Sequence, residues 1–281
     1  MKWGVGLMAF TLAAASALAA NDSAVAHLEK GESLLAAREF AGASTEFRQA
    51  VKMDPRSSRG HFDLGLALKG KGELDGAISE YREAIRLAPA IAEAHVNLGS
   101  ALQMKGNSTE AIKEFREAIR LNPNLAQAHA DLGSVLRINR NLDEAVTELR
   151  EAVRLEPGLA EAHRDLGFTL ALKRDMDGAI VEMREAVRLN PNMYEAHLGL
   201  GNAFHAKGKL DDALAEFREA ARLNPQSAQA HSGIASILFM KGKKVEAEEE
   251  LAEAQRLDPR LKPPAPGTRS TPPRPADVPA Q

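Results

Sequence analysis

Seven histidines are the first residues in this chain whose type and spacing could do chemistry. His27, His61, His95, His129, His163, His197 and His231 recur at one constant interval. Repeated imidazoles can ligate a metal, move a proton or pack. Metal ligation fails on geometry. Equivalent residues on stacked helices lie about 8–10 Å apart, whereas zinc takes nitrogens at about 2.0–2.1 Å. Recurrence in every copy assigns these seven to packing. His205 falls outside the register, on the same helical segment as His197, and is a candidate contact for a bound partner. No Ser, His and Asp combination stands out, no phosphate-binding glycine loop appears, and nothing marks a catalytic pair among the 39 acidic residues. Cysteine is absent, which removes disulfides, thiol nucleophiles, Cys-based zinc sites and a lipid-modified amino-terminal cysteine. The reading is therefore no cofactor, no metal and no enzyme.

The elements that carry these histidines follow from the same period. Pro55, Pro89, Pro123, Pro157, Pro191, Pro225 and Pro259 keep the same interval in step with them. A fixed period of roughly 34 residues means stacked supersecondary units. Between 94 and 104 the apolar side of the unit is Ala94, His95, Leu98, Ala101 and Leu102, one helical stripe. Lys105-Gly106-Asn107 breaks it. A second stripe runs through Ala111, Ile112, Phe115, Ala118, Ile119 and Leu121, and Asn122-Pro123 ends it, because the residue before a proline is pushed out of the helical region. Connections of about three to five residues make consecutive helices antiparallel neighbours. Gly65, Gly99, Gly133, Gly167 and Gly201 fall mid-helix, at a cost of about 1 kcal/mol each. The expected cause is close approach of the paired helix through Ala77, Ala111, Ala145, Ala179 and Ala213.

These units resemble tetratricopeptide repeats. The family pattern is Trp-x2-Leu-Gly-x2-Tyr, then Ala-x3-Phe, then Pro. The third unit supplies His95, Leu98, Gly99 and Leu102, then Ala111 and Phe115, then Pro123. Histidine stands for tryptophan and leucine for tyrosine, both still bulky. The resemblance implies an all-α, right-handed superhelical solenoid of antiparallel helix pairs. Its seven repeats are 24–57, 58–91, 92–125, 126–159, 160–193, 194–227 and 228–261, within a domain of residues 21–261. Lys30, Glu248 and Gln255 replace apolar residues of the inner units, as terminal repeats with polar outer faces require, and seven complete units are expected.

The flanks differ in character. Residues 1–20 begin Met1-Lys2, run through an apolar stretch and reach Ala17-Leu18-Ala19, a small-x-small pattern. They read as a secretory signal peptide cut after Ala19 or Ala20, which places the mature chain in the periplasm or outside the cell with no membrane span. The alternative is an uncleaved amino-terminal membrane anchor, for which the run is short and diluted by small residues. Residues 262–281 carry seven prolines and read as a disordered tail with polyproline II bias. A net charge of −3 offers no basic face for nucleic acid.

In arrays of this family the first helices line a concave groove, so the resemblance places the functional surface there. Counting from each histidine, the groove positions give Arg59, Phe62 and Asp63; Glu93, Val96 and Asn97; Asp131 and Arg137; Arg164, Asp165 and Phe168; and Leu198, Asn202 and His205. Acids outnumber bases on this face, so it reads as apolar with an acidic stripe through Asp63, Asp131 and Asp165. No lysine follows any register histidine, and Phe168 stands where the family's carboxylate clamp needs asparagine, so no such clamp is expected. Arginine and glutamate interleave along the second helices as a solvated face. The expected function is a non-catalytic scaffold that holds a peptide or protein segment in the groove. The alternatives are an enzyme or enzyme subunit with an unmarked site, and self-association through the tail.

Overall fold

The computed structural model describes residues 23–261. The expected signal peptide and the expected disordered proline-rich tail both fall outside the described residues. Within them the chain is all-α, fourteen helices in repeating pairs, and it divides into two compact units, the first ending at Ala128 and the second beginning at His129.

The first unit holds α1 (23–36), α2 (Phe40–Met53), α3 (Ser58–Gly70), α4 (Leu74–Leu87), α5 (Ala92–Met104) and α6 (Ser108–Leu121). The division falls inside α7 (Ala126–Ile138). The second unit continues with α8 (Leu142–Leu155), α9 (Ala160–Leu172), α10 (Met176–Leu189), α11 (Tyr194–Ala206), α12 (Leu210–Leu223), α13 (Ala228–Met240) and α14 (Lys244–Leu257). Each proline register closes a second helix. Asn122 before Pro123, for example, has φ −140° and ψ 95°, the extended backbone that a following proline imposes.

The first-to-second turn needs a left-handed residue, which is why glycine recurs there. Gly72, Gly106, Gly208 and Gly242 have φ between 72° and 79°. Arg38, Arg140 and Arg174 hold the same conformation at 61–68°, where a Cβ is strained. First helices pack on second helices (α3 on α4, α5 on α6, α9 on α10, α11 on α12, α13 on α14) and also on one another, α3 against α5 and α9 and α13 against α11. Within each unit, first helices therefore form one layer.

The mid-helix glycines correct one expectation. A Cβ at Gly65, Gly99 or Gly201 would meet the ring of Tyr81, Phe115 or Phe217 at 2.6–2.7 Å, and at Gly133 or Gly167 the side chain of Leu149 or Met183 at 2.5–2.6 Å. The expected alanines come within 3.2 Å at Gly133 and Gly167, and then through the carbonyl oxygens of Ala145 and Ala179. The glycine makes room for the large residue one turn beyond the alanine, and that residue is the centre of each pair's core. Tyr81, Phe115, Leu149, Met183 and Phe217 are all at most 1% exposed. At the last pair, α14 buries Ala247 and Ala254 and leaves Glu248 exposed.

Candidate functional site

The register histidines do more than pack. Each donates through Nδ1–H to a glutamate carboxylate on the second helix of its own pair: His27 to Glu46, His61 to Glu80, His95 to Glu114, His129 to Glu148, His163 to Glu182, His197 to Glu216 and His231 to Glu250, all at 2.6–2.7 Å. In His61, His95, His163, His197 and His231 the Nε2 also faces a second acceptor, the carbonyl of Pro55, Pro89, Pro157, Pro191 or Pro225, at 3.1–3.3 Å. A neutral imidazole has one N–H and can satisfy one of two acceptors; the imidazolium satisfies both. Accordingly, the hydrogen bond to Glu114 raises the titration of His95, against the opposing effect of burial and with help from the Pro89 carbonyl. Glu182 and Pro157 do the same for His163. Those five histidines clamp a first helix, its second helix and the preceding turn together, with both ring nitrogens engaged. Among the described residues there is no group of three or more His, Cys, Asp or Glu side chains placed to hold a metal.

On the first unit's first-helix layer, Arg59 is exposed and pairs with Glu32. Its Nε lies 3.7 Å from Asp63 Oδ2, beyond hydrogen-bond range. Phe62 is half-buried, its ring 5.9 Å from that of Tyr81. Asp63 is buried, and its Oδ2 has no hydrogen-bond partner; the fully buried Tyr81 hydroxyl has none either. Burial, with the Glu32 charge adding to it and Arg59 opposing it, lifts the Asp63 carboxyl to about 6. On α5, Asn97 accepts from Lys69 Nζ at 2.7 Å and donates to the Glu93 carbonyl at 2.9 Å. Glu93 is exposed and Val96 half-buried.

The second unit arranges its face differently. Asp165 is buried between two arginines, with Arg164 Nε at 3.0 Å and Arg137 at 3.8 Å from Oδ1. Arg137 also sits 5.8 Å from the Phe168 ring centroid, a cation–π contact. Phe168 comes close to the backbone of the next first helix because Gly199 has no side chain there; a Cβ would lie 3.1 Å from its ring. Leu198 is buried, Asp131 half-buried and Asn202 exposed. His205 is half-buried, and burial lowers its titration. The two aspartates of the expected acidic stripe thus differ: Asp165 accepts a hydrogen bond from Arg164 with Arg137 at 3.8 Å beyond it, while Asp63 Oδ2 has only the ion pair with Arg59 at 3.7 Å and no hydrogen bond.

Sequence reading missed three features here: the glutamate partners of the histidines, the arginine pair on Asp165, and the coupling of Lys69 to Asn97. All three have signals in the spacing. Each glutamate follows its histidine at one constant interval, and Arg137 precedes Asp165 by the same interval as Lys69 precedes Asn97. The second-helix face matches its expectation of a solvated surface. Arg86, Arg120, Arg154, Arg188, Arg222 and Arg256 each donate to the nearby glutamate one turn earlier through both Nε and an Nη.

The repeat geometry is matched by a family model described as tetratricopeptide repeat, over residues 28–90, 62–126, 96–160, 130–192, 174–227 and 198–262. The chain belongs to the tetratricopeptide repeat family. It is a scaffold of the type that generally mediates protein–protein interaction, in a family whose members are generally non-catalytic. Among solved structures it is similar to YrrB, described as a TPR protein with an unusual peptide-binding site, at 24% identity and TM-score 0.54 over 64% of this chain and 93% of that one. MamA is 26% identical with TM-score 0.53, over 59% of this chain and 97% of that one. The pilF protein of Pseudomonas aeruginosa is 21% identical with TM-score 0.66, over 74% and 96%. A comparison with curated proteins finds no match. No helix among the described residues is long and apolar enough to cross a membrane.

Proposed function

We propose that this tetratricopeptide repeat protein is exported from the cytoplasm and holds an extended or helical segment of a partner protein against its first-helix face. The observation that carries the reading is the contrast between the two layers. On the second-helix surface Arg86, Arg120, Arg154, Arg188, Arg222 and Arg256 are each held by a glutamate of the same helix. The first-helix surface keeps partly exposed apolar and hydrogen-bonding side chains side by side: Phe62, Val96 and Asn97 in the first unit, Phe168, Asn202 and His205 in the second. Apolar anchors beside a few polar groups are what peptide recognition uses. Export rests on the sequence of residues 1–20.

The test is site-specific photocrosslinking in the native host, with the probe at Asn97 or Asn202 on the first-helix face and at Arg116 or Val181 on the second. The reading expects discrete adducts from the first pair and none from the second. Adducts confined to Arg116 or Val181 would overturn it. Localisation of the full chain by fractionation tests export separately, and retention in the cytoplasm would remove that part.

A further inference from the structure

We propose that Asp63 forms the floor of a pocket in the first unit that takes the cationic side-chain group of a partner's arginine or lysine. The inference rests on the groove-binding reading above and specifies its recognition chemistry.

The first observation is a pair of orphaned polar atoms. Asp63 is 8% exposed and its Oδ2 is buried without a hydrogen-bond partner, the Arg59 Nε standing off at 3.7 Å; the hydroxyl of Tyr81, on the adjacent α4, is likewise buried and accepts or donates no hydrogen bond. Two such atoms on neighbouring helices are a rarity in a folded protein, and a donor supplied from outside is one way to satisfy them. An ammonium or guanidinium brings several donors and a charge.

The second observation is an internal comparison. Asp165 stands at the same repeat position as Asp63, three repeats later, and is answered within the molecule. Its two arginines occupy two repeat positions: Arg164 is the residue before it, and Arg137 lies on the preceding first helix. At those two positions Asp63 has Phe62 and Leu35. At these two repeat positions the chain supplies cations in one case and apolar residues in the other. The basic groups on Asp63's own helix do not hydrogen-bond it: Arg59 pairs with Glu32 and reaches Asp63 Oδ2 only as an ion pair at 3.7 Å, and Lys69 donates to Asn97. Glu32 adds a second negative charge near the carboxylate. The half-buried Phe62 offers an aromatic face beside it, which also favours a cation.

The test uses the full chain and three small probes: N-acetyl-argininamide, N-acetyl-lysinamide and N-acetyl-citrullinamide, the last an uncharged analogue of the first. Binding is followed by chemical-shift changes of α3 and α4 backbone amides. The pocket predicts saturable shifts with either cation, and a loss of about tenfold or more in affinity for citrulline and for Asp63→Asn. Tyr81→Phe is expected to weaken binding less, and Asp165→Asn to leave it unchanged. Equal affinity of Asp63→Asn for the argininamide, equal affinity for citrulline, or no saturable shift with either cation would overturn the pocket, leaving a bridging water as the partner of both oxygens. Failures separate as follows. A partner crosslinked from Asn97 whose capture ignores Asp63→Asn removes the pocket and keeps the groove. Probe binding without groove crosslinks keeps the pocket and removes the groove reading.

Discussion

Asp63→Asn should make this protein more stable at neutral pH. Desolvation and the Glu32 charge raise the Asp63 carboxyl from 3.8 to about 6 in the folded chain, with Arg59 opposing. A group whose folded value is raised contributes stability below its unfolded value and loses it as the pH climbs through the folded one. The window therefore runs from 3.8 to about 6, and above it the ionised carboxylate is a net cost. At about 1.4 kcal/mol per unit the whole effect would approach about 3 kcal/mol. The carboxyl keeps some contact with solvent, so screening reduces this to about 1–2 kcal/mol. Asparagine has the same shape and no charge. Urea unfolding followed by far-UV circular dichroism, with hydrogen exchange of α3 and α4 to report on the first unit, should show a gain of about 1–2 kcal/mol at about pH 7.5 that shrinks towards zero near pH 4. A variant less stable than the parent at neutral pH, or a gain independent of pH, would refute the assignment of Asp63 as a buried, uncompensated carboxylate.

The histidine clamps lose stability in the same direction, as the pH rises, but here what is lost is a favourable hydrogen bond rather than the absence of a buried charge. Glu114→Gln removes a hydrogen bond to an imidazolium worth about 1.5–3 kcal/mol. Because the bond to Glu114 raises His95 above 6.5, that contribution is complete below 6.5 and fades as the pH rises through the raised folded value. Thermal melts should show a larger loss at about pH 6 than at about pH 9, and an equal loss at both would mean the pair is not proton-linked. At the turns, Arg174→Gly should add about 1 kcal/mol by relieving a left-handed side-chain residue, while Gly208→Ala should cost a similar amount; denaturant midpoints decide both.

The period alone exposed the helix pairs, because histidine, leucine, glycine and proline recur together and each has a local reason to stand where it does. What the period concealed was pairing across helices. Glu114 follows His95 at the same interval as every other glutamate of the set follows its histidine, yet the second helices carry so many glutamates that its role is invisible until the helices are folded against each other. The groove is harder still, since its meaning depends on which neighbours differ. Asp63 and Asp165 are the same residue at the same repeat position, so a reading by register puts them on one acidic stripe. Their environments part because Leu35 and Phe62 stand where Arg137 and Arg164 stand later. Once the link from one first helix to the next is known, those four residues are legible from sequence. The same link carries Lys69 to Asn97, at 2.7 Å. The state of a charge on this face is thus set between repeats, by which residue the preceding first helix places beside it. In the first unit the preceding first helix places Leu35 there, so Asp63 Oδ2 receives no hydrogen bond, and the pocket proposed above is where a partner's own charge would have something to gain.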